Sequence, residues 1–227
     1  MDKGSVVTET RKVQGFERVV MRDYGELVIT QGEKESLKIE TEPGIIGKIR
    51  TEVRGGNLDI SMGASWLRKI GHALTSTISG TWIKYYLTVK NLTGLEVLGA
   101  ARVFASKIKT DRLHLVLGGA GNIKAESLSA KQLEVDLRGA GKIELTGKTA
   151  EQSVVIGGAG GYVAPRLESA KANIDLRGAG AATVWVTKEL DVTITGVGNV
   201  KYYGAPEIKP KITGLGKLTP MGSPEKD

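Results

Sequence analysis

The chain has 227 residues, 40% hydrophobic and 25% charged, with a formal net charge of +7, a composition ordinary for a soluble globular protein large enough to bury a core without staples. It has no cysteine, which excludes a disulfide framework, thiolate metal sites and cysteine nucleophiles. Glycine is abundant, 31 residues against 6 prolines, and an excess of Gly without Pro or a Gly-X-Y period excludes collagen-like and disordered chains.

At the N-terminus, Met1 to Lys12 carry no apolar core of a signal peptide, so no signal is expected within this chain, although a mature form would look the same. No stretch approaches the roughly eighteen apolar residues of a membrane helix. Residues 1–12 and 221–227 are expected to be flexible ends around a single domain, 13–220.

Residues 13–62 alternate apolar and polar side chains in Glu26–Thr30, Ser36–Glu40, Ile49–Val53 and Asn57–Ile60, separated by Gly32-Glu33, Pro43-Gly44 and Gly55-Gly56-Asn57. Alternation between such turn signals predicts strands, read as the opening coils or cap of a solenoid.

Residues 63–80 break the pattern. Trp66, Leu67, Ile70, Ala73 and Leu74 fall at helical spacing, with Arg68, Lys69 and His72 off that face. Such a segment either covers an end or flank of the solenoid or offers an apolar stripe to a partner or membrane surface. Trp66, Leu67 and Ile70 are the candidate interface with a second subunit.

From residue 81 onward, after the alternating Tyr85–Val89, a repeat dominates. The first glycines of seven steps, Gly99, Gly119, Gly139, Gly158, Gly178, Gly196 and Gly214, lie 20, 20, 19, 20, 18 and 18 residues apart. Two residues before six of them stand Leu117, Leu137, Ile156, Leu176, Ile194 and Ile212. Four before stand Leu115, Val135, Val154, Ile174, Val192 and Pro210, with a mostly polar row between. Period-two alternation repeated every coil predicts short strands with one buried face, stacked about 4.8 Å apart. The predicted fold is therefore all-β: a single-stranded parallel β-helix of about 20-residue coils with a less regular N-terminal part. The corner Ala of each Gly-Ala-Gly step, widening to Val197 and Leu215, is expected to point into the core, and Gly161 to be a bulge.

The step Gly119-Ala120-Gly121-Asn122-Ile123, recurring as Gly-x-Gly-x-Ile/Val/Leu, resembles the GIN-domain family, labelled an auto-transporter adhesin head. Phe16-Glu17-Arg18-Val19, Val28-Ile29-Thr30-Gln31-Gly32 and Leu95-Glu96-Val97-Leu98-Gly99 are also similar to that family. The resemblance covers roughly residues 13–220. It implies a β-helical, exported bacterial protein, often lipid-anchored, of largely unestablished role. The location expected is extracytoplasmic, in the periplasm or at the cell surface.

Catalytic chemistry finds little support. His72 and His114 have no ligand-like neighbours. The Gly-x-Gly steps are followed by strands, not by the helix a dinucleotide loop needs. No carboxylate row follows them, as a calcium β-roll requires. No catalytic residue, metal or cofactor is therefore assigned. Asp136-Leu137-Arg138 and Asp175-Leu176-Arg177 occupy equivalent places two coils apart, each Asp and Arg on one strand face about 6.6 Å apart. They read as a surface ion-pair ladder or, alternatively, a ligand groove, which makes Asp136, Arg138, Asp175 and Arg177 the candidate binding residues. The dispersed basic residues suggest no nucleic-acid partner. A non-enzymatic adhesion or binding scaffold for a glycan or protein is expected, the alternative being a carbohydrate-active β-helix enzyme or polysaccharide-binding protein. Membrane contact would come only through a removed anchor or residues 63–80.

Overall fold

The computed structural model describes residues 6–62 and 82–224. Its N-terminal strands are β1 (Val7–Arg11), β2 (Arg18–Met21), β3 (Gly25–Gln31), β4 (Ser36–Thr41), β5 (Ile49–Arg54) and β6 (Asn57–Met62), with one helical turn, α1 (Pro43–Ile46). After the undescribed residues come β7 (Lys84–Val89), β8 (Gly94–Val97), β9 (Ala100–Ala105), β10 (Ile108–Lys109) and β11 (Arg112–Leu117). Long strands that bend around the corners then follow: β12 (Ala120–Leu137), β13 (Ala140–Ile156), β14 (Ala159–Leu176) and β15 (Ala179–Ile194). The chain closes with β16 (Val197–Tyr203), β17 (Glu207–Ile212) and β18 (Leu215–Pro220).

The repeat sets the register. Leu117 lies beside Leu137, Leu137 beside Ile156, Ile156 beside Leu176, and Leu176 beside Ile194, all in parallel ladders. Each coil therefore stacks residue for residue on the one before, giving a β-solenoid of about six regular turns. Leu117, Leu137, Ile156, Leu176 and Ile194 are fully buried, and Leu115, Val135, Val154, Ile174 and Val192 nearly so. Two continuous aliphatic rows thus build a dry core that no single coil could close.

The corner glycines are required by contact between coils. A Cβ on Gly141 would stand 1.8 Å from the Gly121 carbonyl oxygen, and its φ of +149° is itself one that side chains avoid. The residue between the two glycines points the other way. Ala120, Ala140, Ala159 and Ala179 are exposed, and Val197 and Leu215 are 55% and 79% exposed. The expected inward corner is therefore corrected: the pleat gives the inner place to the second glycine and turns the middle side chain to solvent. Gly161 is likewise no bulge. It pairs with Lys142 in register and leaves buried Tyr162 in the row of Ile143, while the irregularity comes later, between Val163 and Arg166.

Stacking order departs from chain order at the N-terminal end. β2 lies in parallel between β6 and β8, and β3 between β7 and β9. The coil made by β6 and β7 is thus outermost, although β2 and β3 precede it in sequence. Its outer side is covered by antiparallel strands: β5 on β6, β4 on β7 and β1 on β4. Val7–Arg11 is consequently paired, which corrects the expectation that residues 1–12 form a free end. Residues 63–80 lie outside the described residues. In the outermost coil the described residues Ile60 and Lys84 are separated by twenty-four positions, while their partners Met21 and Glu26 are separated by five.

Among the described residues the other end is open: β17 and β18 pair on one side only, and Ile212 is 42% exposed where its counterparts are buried. Thr213 N donates to Ile194 O and Met221 N to Tyr202 O. By alternation, the backbone nitrogens of Pro210 and Pro220 face outward along the free edge. Proline there removes no ladder bond and leaves no donor for another strand.

Candidate functional site

The outward face of the strands preceding each corner carries three rows in register: Gln132, Glu151, Lys171 and Glu189; Glu134, Ser153, Asn173 and Asp191; and Asp136, Val155, Asp175 and Thr193. In the last row Arg138 folds back on Asp136, donating through Nε at 2.8 Å and through Nη2. Arg177 does the same to Asp175 at 2.9 and 2.6 Å. Each Arg is held above its ordinary pKa, first by the hydrogen bond and then by the charge of its own Asp. The four sequence-predicted residues thus lie on one face as two separate ion pairs, not as a converging constellation.

Beside them runs a shallow trough of about 400 Å³, lined by Gln132, Glu134, Ser153, Asn173 and Asp191 among others. Asp175 Oδ1 and Asp191 Oδ1 are buried without a hydrogen-bond partner. Glu189 is held below the usual carboxylate range by hydrogen bonds from Lys209 and Lys171. Among the described residues the carboxyl group pushed upward is Asp23, to about 6, by burial. It lies at a core corner beside Tyr85 and lines neither this trough nor the clefts described next.

A second concavity sits where the chain leaves stacking order. From β7 the segment Lys90–Thr93 crosses over the coil of β2 and β3 to reach β8. Between that crossover, the entry to β2 and the exit from β3 lies a cleft of about 900 Å³ lined by Phe16, Glu17, Arg18, Glu33, Glu35 and Asn91 among others. An adjoining one of about 660 Å³ is lined by Thr30, Gln31, Gly32, Glu33, Lys90, Ser106, Lys107 and Lys109.

The walls are tied across coils. Glu35 accepts from Gly15 N at 2.9 Å and Phe16 N at 3.4 Å. Asn91 donates to Glu17 at 3.2 Å and accepts from Thr110 at 3.0 Å. Gln31 donates to Lys90 O at 3.0 Å and Lys109 O at 2.9 Å, and accepts from Lys109 N at 2.8 Å. Its side-chain amide thereby takes the place of a neighbouring peptide on the free edge of β10. Sequence reasoning missed this cleft, since Lys90 and Lys109 are nineteen residues apart and nothing local joins them. The one available signal was that Phe16-Glu17-Arg18 and Thr30-Gln31-Gly32, which carry the family resemblance, line the larger and the smaller cleft respectively. The interface candidates Trp66, Leu67 and Ile70 lie outside the described residues.

A family model described as "Putative auto-transporter adhesin, head GIN domain" matches residues 15–206. The chain belongs to this family. The whole GIN-domain solenoid also has solved counterparts. A crystal structure described as a putative adhesin from Bacteroides fragilis is similar with a TM-score of 0.86 and 25% identity, over 96% of this chain and 97% of that one. One described as a putative lipid binding protein from Parabacteroides distasonis has a TM-score of 0.72 and 23% identity, over 96% and 97%. Another, described as a putative adhesin from Parabacteroides merdae, has a TM-score of 0.59 and 15% identity, also over 96% and 97%. The last two show the shared fold. No curated protein matches the chain. Among the described residues no helix is long and apolar enough to cross a membrane.

Proposed function

We propose that this GIN domain is a non-enzymatic adhesion scaffold of the cell envelope, displayed outside the cytoplasm, whose strand face binds a neutral glycan. The observation that carries the reading is the trough beside the Asp–Arg pairs. Its exposed polar side chains, Gln132, Glu134, Ser153 and Asn173, are fixed in register over a rigid core. The amides of Gln132 and Asn173 and the hydroxyl of Ser153 on one exposed strip suit the hydroxyl groups of an extended sugar chain. Membership of a family of adhesin heads supports the envelope location.

The test is a glycan array probed with the purified protein and with Ser153→Trp, which fills the trough from an exposed position. Binding of neutral glycans by the wild type and its loss in the variant are expected. Binding that survives Ser153→Trp, or no neutral glycan bound at all, overturns the trough assignment.

A further inference from the structure

We infer that the cleft beside the Lys90–Thr93 crossover is a second binding site, for an acidic polysaccharide, independent of the trough. The first argument is charge. Many basic side chains on the coils are paired: Lys124 with Glu126, Lys131 with Asp111, Lys142 with Glu144, Lys148 with Glu168, and Lys171 and Lys209 with Glu189. Lys90, Lys107 and Lys109 are exposed and line one concavity with a single carboxylate, Glu33. In the adjoining cleft Arg18, Lys34 and Lys90 are balanced by Glu17, Glu33 and Glu35, so the positive excess belongs to the smaller concavity. In the larger one Glu35 is already engaged by backbone amides and Glu17 by Asn91. Three ammonium groups facing one gap repel one another, and an anion entering it relieves that repulsion.

The second argument is construction. Gln31 holds the backbones of Lys90 and Lys109 on one amide, so these lysines, distant in sequence, are positioned together before any ligand arrives. That lowers the ordering cost of binding.

The third is the lining. Around the lysines stand Thr30, Gln31, Gly32 and Ser106, with no apolar side chain in the set. Hydroxyls and an amide beside cations suit the mixed hydroxyl and carboxylate or sulfate groups of an acidic sugar chain. A lipid surface would favour an apolar side chain placed to insert. The ordinary alternative is that the lysines only guard the free edge of β10 against pairing.

The experiment compares binding of dextran sulfate, polygalacturonate, neutral dextran and phosphatidylglycerol vesicles, at ionic strengths of about 0.01 and 0.15 M. The proteins are the wild type, the triple variant Lys90→Gln/Lys107→Gln/Lys109→Gln, and a charge-matched control, Lys142→Gln/Lys201→Gln/Lys217→Gln. At the higher salt the cleft variant is expected to lose at least about tenfold in affinity for the acidic polymers and the control less than about threefold. Equal loss in both variants means general charge attraction and overturns the site. So does self-association of the cleft variant with unchanged binding, which assigns the lysines to edge protection. A stronger, lysine-dependent affinity for phosphatidylglycerol vesicles than for the polysaccharides transfers the site to lipid and overturns the ligand class. Absence of acidic-polymer binding by the wild type removes this inference alone, because the trough is judged on neutral glycans and Ser153→Trp.

Discussion

Tyr162 Oη donates to Gln152 Oε1 at 2.7 Å inside the core of the regular coils. The chain continues: Gln152 Nε2 donates to Ser169 Oγ at 2.8 Å, and Ser169 Oγ to Trp185 O at 2.9 Å. Burial pushes the Tyr162 hydroxyl well above its ordinary pKa, so it remains a donor. Tyr162→Phe leaves the Gln152 carbonyl oxygen buried and unpaired, and should cost about 1–3 kcal/mol in urea unfolding. Tyr162→Phe/Gln152→Leu removes both partners and should be less destabilised than the sum of its single variants.

The corner geometry separates neighbouring residues. Gly141→Ala forces a Cβ against the Gly121 carbonyl and should destabilise by more than about 3 kcal/mol, or prevent folding. Ala140→Leu faces solvent, where Leu215 already occupies the equivalent place, and should change stability by no more than about 0.5 kcal/mol. Equilibrium unfolding of the two variants decides it; equal damage would contradict the outward corner.

Asp23 makes stability depend on pH. Its folded pKa, about 6, lies above the ordinary value of 3.8 because burial disfavours the charge, only partly offset by hydrogen bonds from Tyr85 and the Tyr24 backbone. The folded protein therefore holds this proton more tightly than the unfolded chain. The associated stability is fully present below pH 3.8 and is lost as pH rises through 6. Asp23→Asn should gain on the wild type by up to about 3 kcal/mol between pH 4 and pH 8. Parallel melting-temperature profiles of both proteins measure the gain, and a gap that narrows with rising pH would refute it.

The Asp–Arg pairs are exposed at their arginine ends, and such pairs contribute little. Arg138→Ala and Arg177→Ala should leave the melting temperature unchanged within error. A marked fall in either would show that the ladder holds the face together.

At the open end, Pro210 and Pro220 each withhold one outward N–H from the outer edge. Pro210→Val/Pro220→Val supplies two outward N–H groups next to exposed Ile212 and Leu215, and should convert a species resistant to end-to-end pairing into oligomers. Light scattering after size exclusion is the check, and an unchanged mass would show that the prolines are not the barrier.

What the sequence by itself determined is everything that repeats. Leu137, Ile156 and Leu176 could be placed in one buried row because a fixed coil length and period-two alternation leave a single register that stacks apolar on apolar. Even so, the middle Ala of the corner was read inward, since its orientation depends on which glycine meets the coil below, and that is a contact between coils. Only the tertiary structure decided the order of the first coils, with β2 and β3 inside β6 and β7, because strand order is a choice among non-local pairings of similar local pattern. The cleft follows from that same choice. Lys90 meets Gln31 and Lys109 only because the chain must cross a coil already laid down, and no local period encodes a crossing.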